Sequence, residues 1–191
     1  MALKKRKKKL LTDYIFFDTD CLSSFLWVNN QNFLVKLYSG RIYIPMQVYN
    51  ELSNPCVLHL KAKIDDILSK NHAKQISINT GTTEYSLYYQ LTEKPAKGKY
   101  AIGKGEASAL VLAKKYNGTI ASNNLSDIST YIYDFDIKHL TTADILYDAF
   151  MSDYITEDEG NKIWNAMQKK RFKLGGLSFT EHINNQRITN T

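Results

Sequence analysis

From Tyr14 onward, short apolar runs alternate with longer segments whose apolar residues recur at helical spacing. That alternation predicts an α/β fold with a mainly parallel sheet. "YIFFD" reads as a first strand, "CLSSFLWV" and "NNQNFLVKLY" as helices, and "SGRIYIP" as a second strand closed by Pro45. A helix from Met46 must stop before Asn54-Pro55, because proline cannot continue it. "LHLKAKIDDILSKN" and "TEYSLYYQLTE" follow as helices on either side of "KQISIN", a third strand. Residues 94–105, "KPAKGKYAIGKG", read as a loop feeding the helix "EASALVLAKKYNG", which ends at Asn117-Gly118. "TIAS" and "DIKHL" are strands four and five, and "TTADILYDAFMSD" is the next helix. Thr156 with Glu159 marks a capping box for "TEDEGNKIWNAMQKKR", and the tail beyond Phe172 reads as thinning into frayed polar residues.

Composition narrows the class. At 191 residues with 43% hydrophobic positions, the chain can bury a substantial core, and no run approaches the roughly 18 apolar residues of a membrane span. "KKRKKK", residues 4–9, accounts for the whole net charge of +6, so the body of the chain is balanced. The run reads either as a disordered tail or as an arm that holds nucleic-acid phosphates. No apolar segment with a cleavage site follows it, so a cytoplasmic location is expected. Cys21 and Cys56 are too few for a disulfide framework or a cysteine zinc site, and the four histidines are scattered.

The chemistry lies in acids. "IFFDTDC" ends a strand in two carboxylates, Asp18 and Asp20, which are costly to bury without a partner. Asp18, Glu51, Glu106 and Asp127 each sit where a strand ends or a helix begins, and open parallel sheets bind ligands beyond the carboxyl ends of their strands. Right-handed crossovers bring those ends to one edge, so the four acids can meet in one pocket. Converging carboxylates without histidine or cysteine make a hard oxygen site suited to Mg²⁺ or Mn²⁺. Such an ion removes their mutual repulsion and favours phosphodiester hydrolysis. Asp20 either joins the metal set or caps the helix that starts at Cys21.

"FFDTD", "PMQVYNEL", "GKGEASAL" and "ASNNLSDI" resemble, in order and spacing, the successive motifs of PIN-domain proteins, and are similar to those of bacterial VapC-type toxin ribonucleases. The resemblance spans roughly residues 14–150. It implies a three-layer fold with a five-stranded parallel sheet flanked by helices, and a Mg²⁺- or Mn²⁺-dependent endoribonuclease acting on RNA. For the toxin branch it implies an antitoxin protein and a homodimer. Asp18 matches the first acid, Glu51 the second and Glu106 the third, while Asn124 and Asp127 fill the last position. Many members place an acid directly after the fourth strand, where this chain has Asn123 and Asn124; an asparagine there orients water or a ligand. Lys97, Lys99 and Lys104, just before Glu106, are candidates for RNA phosphates. The expected organisation is a basic tail over 1–12, a PIN-like nuclease domain over 13–152, and a C-terminal helical extension over 153–191 packed on or beside it. The alternative reading is a PIN-fold module that binds RNA or protein without cutting.

Overall fold

The computed structural model describes residues 12–98 and 100–188, so the basic run and Lys99 lie outside the described residues. Five strands form one sheet, all parallel: β1 (Ile15–Phe17), β2 (Ile42–Pro45), β3 (Ala73–Ile76), β4 (Thr119–Ala121) and β5 (Lys138–Leu140), in the spatial order β3-β2-β1-β4-β5. β1 is central, with Phe16 opposite Tyr43 of β2 and Ile120 of β4. The order reverses at β1, which makes the carboxyl ends of β1 and β4 the crevice where ligands are expected.

β1 needs no hydrophobic alternation because both faces of the sheet are covered. Ile15 and Phe17 point into one core with α1 (Thr19–Trp27), α2 (Asn32–Tyr38), α3 (Met46–Leu52), α4 (Leu58–Ser69) and α8 (Thr142–Met151). Phe16 points into the other with α5 (Thr83–Thr92), α6 (Lys104–Lys115) and α7 (Leu125–Asp134). Each such side chain stabilises the fold by roughly 1.5–3 kcal/mol. A single 3₁₀ turn, Pro55–Val57, separates α3 from α4.

Several expectations need correction. α6 begins at Lys104, so that lysine is helical and does not belong to the loop, because Glu106 reaches back to the Gly103 amide at 3.3 Å and satisfies the first turn. β3 begins at Ala73 and ends at Ile76, earlier than the "KQISIN" run, since its register is set by β2. The sequence pattern assigns no element to 125–134, yet α7 buries Ile128 and Tyr131 one turn apart.

The tail is also more ordered than expected. After α9 (Glu157–Lys169), capped by Thr156 and Glu159 as predicted, the chain forms α10 (Phe179–Ile188). α10 takes its caps from two places: Ser178 Oγ accepts from the Glu181 amide at 3.1 Å, and Asn161 of α9 accepts from the amides of Phe179 and Thr180. Trp164, Met167, Phe179 and Ile183 are buried in the same core as Ile15 and Phe17. Gly160 is required at that contact, because a Cβ there would sit inside the Phe179 ring. No helix among the described residues is long and apolar enough to cross a membrane.

Candidate active site

Asp18 leaves β1 at the crevice, with its amide donating to Ala121 O of β4 at 3.0 Å. Its Oδ1 accepts from the Cys21 amide at 2.7 Å, so Asp18 itself is the N-cap of α1. Its Oδ2 is buried without a hydrogen-bond partner. Burial pushes the carboxyl from 3.8 up to about 7, with Asp20 and Glu106 adding to the rise while the Ser122 hydroxyl and the Cys21 amide oppose it. Burial, and then the Asp18 charge, push the neighbouring Cys21 thiol well above its ordinary value, which makes it a packing group rather than a nucleophile.

Asp20 therefore does not cap the helix. Its Oδ2 accepts from Asn123 Nδ2 at 2.8 Å, and Asn123 Oδ1 accepts from the Thr142 amide at 2.9 Å, which ties the first turn of α1 to the start of α8. Glu106, half-buried, accepts from Asn124 Nδ2 at 2.7 Å. The same amide nitrogen donates to Asp127 Oδ2, also at 2.7 Å. Asn124 thus separates two carboxylates instead of adding a third. Glu106 is held above the usual carboxylate range by burial first and then by Asp127 and Asp20, against the donors Asn124 and Gly103. Ser126 Oγ lies within hydrogen-bond distance of Asn124 Oδ1 and Asp127 Oδ1.

Glu51 stands apart from this group. Both its oxygens are engaged, one by the Thr19 hydroxyl and one by the Gly105 amide at 3.0 Å. It joins α3 to the residues next to Asp18 and Glu106. A Cβ on Gly105 would come within 3.0 Å of Glu51 Oε2 and closer still to Thr19 Oγ1, so only glycine permits this contact.

A cavity of about 410 Å³ opens over Asp20, Glu106 and the 123–126 segment, and Arg171 and Lys173 from the α9–α10 connection complete its lining. A second, of about 310 Å³, adjoins it through Ser126 and is lined by Tyr100, Asp127 and Tyr131 among others. Lys97 and Lys104 are exposed and line neither cavity.

The structure brings Asp20 and Glu106 into electrostatic range of Asp18, and Asp20 and Asp127 into range of Glu106, and leaves Glu51 on Thr19 and Gly105. Sequence reasoning missed the parts played by Asn123, Thr19, Gly105, Arg171 and Lys173. Only Gly105, inside the "GKGEA" run, carried a visible signal.

The family model described as DUF3368, a PIN domain, matches residues 14–184. The chain belongs to the PIN-domain family. No curated protein matches it in sequence. PIN domains are generally nucleases that act on nucleic acid, and such nucleases typically use divalent metals. The match runs through α9 and most of α10, the two helices that enclose Trp164 and Phe179.

Among the described residues of this PIN domain, no three His, Cys, Asp or Glu side chains are grouped closely enough to hold a metal ion as they stand. The donor chemistry nevertheless fits a hard divalent cation. The acids offer only oxygen ligands, neighbouring carboxylates add to the raised proton affinity of Asp18 and Glu106, and Asp18 Oδ2 is a buried acceptor with nothing bound to it.

Proposed function

We propose that this PIN domain is an endoribonuclease that hydrolyses RNA phosphodiester bonds with Mg²⁺ or Mn²⁺. The unpartnered, fully buried Asp18 Oδ2, flanked by Asp20 and Glu106, carries the proposal. A buried carboxylate without a counterion is costly, and the nearest charged groups that influence it are negative. Asp18, Glu106 and Asp127 would hold the ion, with Asp20 at the cavity edge and Glu51 joining on release from Thr19 and Gly105. Bound there, the ion supplies charge neutralisation and Lewis acidity to a phosphodiester.

The chain's own residues set the geometry. Asn124 holds Glu106 and Asp127 at a fixed separation, and Asn123 keeps Asp20 turned toward the cavity instead of onto the amides of α1. Asn124 also presents a carbonyl oxygen, shared with Ser126, that orients water or substrate. The likeness of the four acid-bearing motifs to VapC-type toxins supports RNA as substrate and a protein antitoxin as partner.

The protein incubated with single-stranded RNA and Mn²⁺ should yield internal cuts that EDTA abolishes and Asp18→Asn eliminates. Equal cleavage by variant and wild type would remove the proposal. A second reading, a PIN-fold module that binds without cutting, is favoured by the engaged oxygens of Glu51 and by the amide at position 124. Metal binding separates the two readings. At a hundredfold excess over Kd, a native-state ligand adds about 2.7 kcal/mol, or roughly 5–10 °C in Tm for a chain of this size. No shift at millimolar Mn²⁺ would favour the binding module.

A further inference from the structure

The connection between α9 and α10 brings two cations to the cavity that holds the acids. α9 ends in a Schellman turn: the Arg171 amide donates to Gln168 O at 2.8 Å and the Phe172 amide to Met167 O at 3.2 Å. Arg171 occupies the left-handed position of that turn with φ 69°, where glycine is the usual residue. The following residues alternate. Phe172 packs on the core that contains β1 and Leu174 is buried, while Arg171 and Lys173 are exposed and line the acid cavity. Their backbone is therefore anchored by apolar neighbours, and their heads are free to meet a ligand.

Neither cation is spent on the acids beside it. Among the described residues the ion pairs Lys61–Asp65, Lys70–Asp66 and Lys115–Glu84 lie elsewhere, and none joins Arg171 or Lys173 to Asp20 or Glu106 across the cavity. A long cationic side chain that shares a cavity with carboxylates and forms no pair with them is positioned for an anion from outside. The adjoining cavity presents Tyr100, which is 92% exposed, so a chain held at Arg171 and Lys173 meets an aromatic surface further along. A charged backbone with planar rings at intervals is single-stranded nucleic acid.

We propose that Arg171 and Lys173 form a phosphate-binding wall that holds the backbone of single-stranded RNA across the acid cavity. The proposal rests on the nuclease reading for the identity of the anion. Its test does not require cleavage. Binding of a labelled RNA of about ten nucleotides is followed by fluorescence anisotropy in EDTA, across a range of salt concentrations. The variants are Arg171→Gly, Lys173→Gln and the two combined. Each loses a phosphate contact, so the double variant should bind roughly tenfold more weakly or worse. The slope of log K against log salt should fall by about 1.4, or ~0.7 per lost contact.

Arg171→Gly separates binding from folding, because glycine suits the left-handed position. Its thermal midpoint should equal or exceed that of the wild type while its affinity falls. Unchanged affinity and slope in the double variant would overturn the proposal. So would a loss confined to Arg171→Gly that comes with a lowered midpoint and is absent from Lys173→Gln. Binding of a poly-glutamate peptide that needs both residues, with no binding of RNA, would assign the wall to an acidic protein partner instead. If wild type binds RNA through these residues yet does not cut it in Mg²⁺, the nuclease reading fails and the wall stands.

Discussion

Replacing Asp18 with asparagine removes a buried charge while keeping the side chain's shape and its N-cap acceptor for the Cys21 amide. The Asp18 carboxyl rises from 3.8 to about 7, which is roughly 3 pKa units, or about 4 kcal/mol between the protonation states. Between those two values the native protein holds a proton that the unfolded chain has released, so metal-free wild type loses stability as pH rises and levels off above about 7. The asparagine variant would carry no such slope. Its new NH₂ would take the place of Oδ2, which has no partner, at a cost of about 1–3 kcal/mol. The balance leaves Asp18→Asn about 2 kcal/mol more stable than wild type near pH 8 in EDTA, a Tm higher by roughly 4–8 °C. Near pH 5 the linkage penalty shrinks to about 1–2 kcal/mol and the two proteins should unfold together. Thermal melts by circular dichroism from pH 4.5 to 8.5 in EDTA measure this directly. A Tm difference independent of pH, or a variant less stable at pH 8, would refute the account of Asp18 as a strained, uncompensated acid.

Two further substitutions probe the supports of the site. Gly105→Ala should push Thr19 and Glu51 apart and lower Tm, at the roughly 1–3 kcal/mol typical of overpacking, and its Mn²⁺-induced thermal shift should differ from that of wild type; an unchanged melt would show that this contact is loose. Gly160→Ala should displace Phe179 and loosen α10, read as faster amide hydrogen exchange across 179–188, while exchange in α6 stays unchanged.

The sheet was legible because both of its faces are covered, so runs such as "YIFF" and "RIYIP" stand out from their polar surroundings without any need to resolve alternation. Asp18, Glu106 and Asp127 stand at a strand end or in the first turn of a helix, where spacing along the chain translates into position at the sheet edge, whereas Glu51 lies in the last turn of α3. What remained hidden depends on contacts between distant segments. α10 carries little local helix signal, and half of its capping comes from Asn161 on another helix. α7 is rich in tyrosine and β-branched residues, which suit a strand as well as a helix, and burial of Ile128 and Tyr131 decides between them. The part played by Asn124 follows from one nitrogen reaching two carboxylates, and no linear pattern encodes that. Arg171 and Lys173 enter the cavity only because α9 ends beside the crevice, a placement set by how α9 packs on the rest of the fold.

The central place of β1 also governs how the chain is made. Once made, β1 cannot pair with β4 until about a hundred further residues have been added, roughly 5–20 s of translation at ordinary rates. Through that interval "YIFF" is an apolar segment with one edge unpaired, a hazard for association with other nascent chains. The acids share its schedule. Asp18 emerges first of these, then Glu106, Asn124 and Asp127, and the Arg171–Lys173 wall after them. The growing polypeptide therefore carries no assembled crevice until Asp127 has emerged, and the Arg171–Lys173 connection joins it later still.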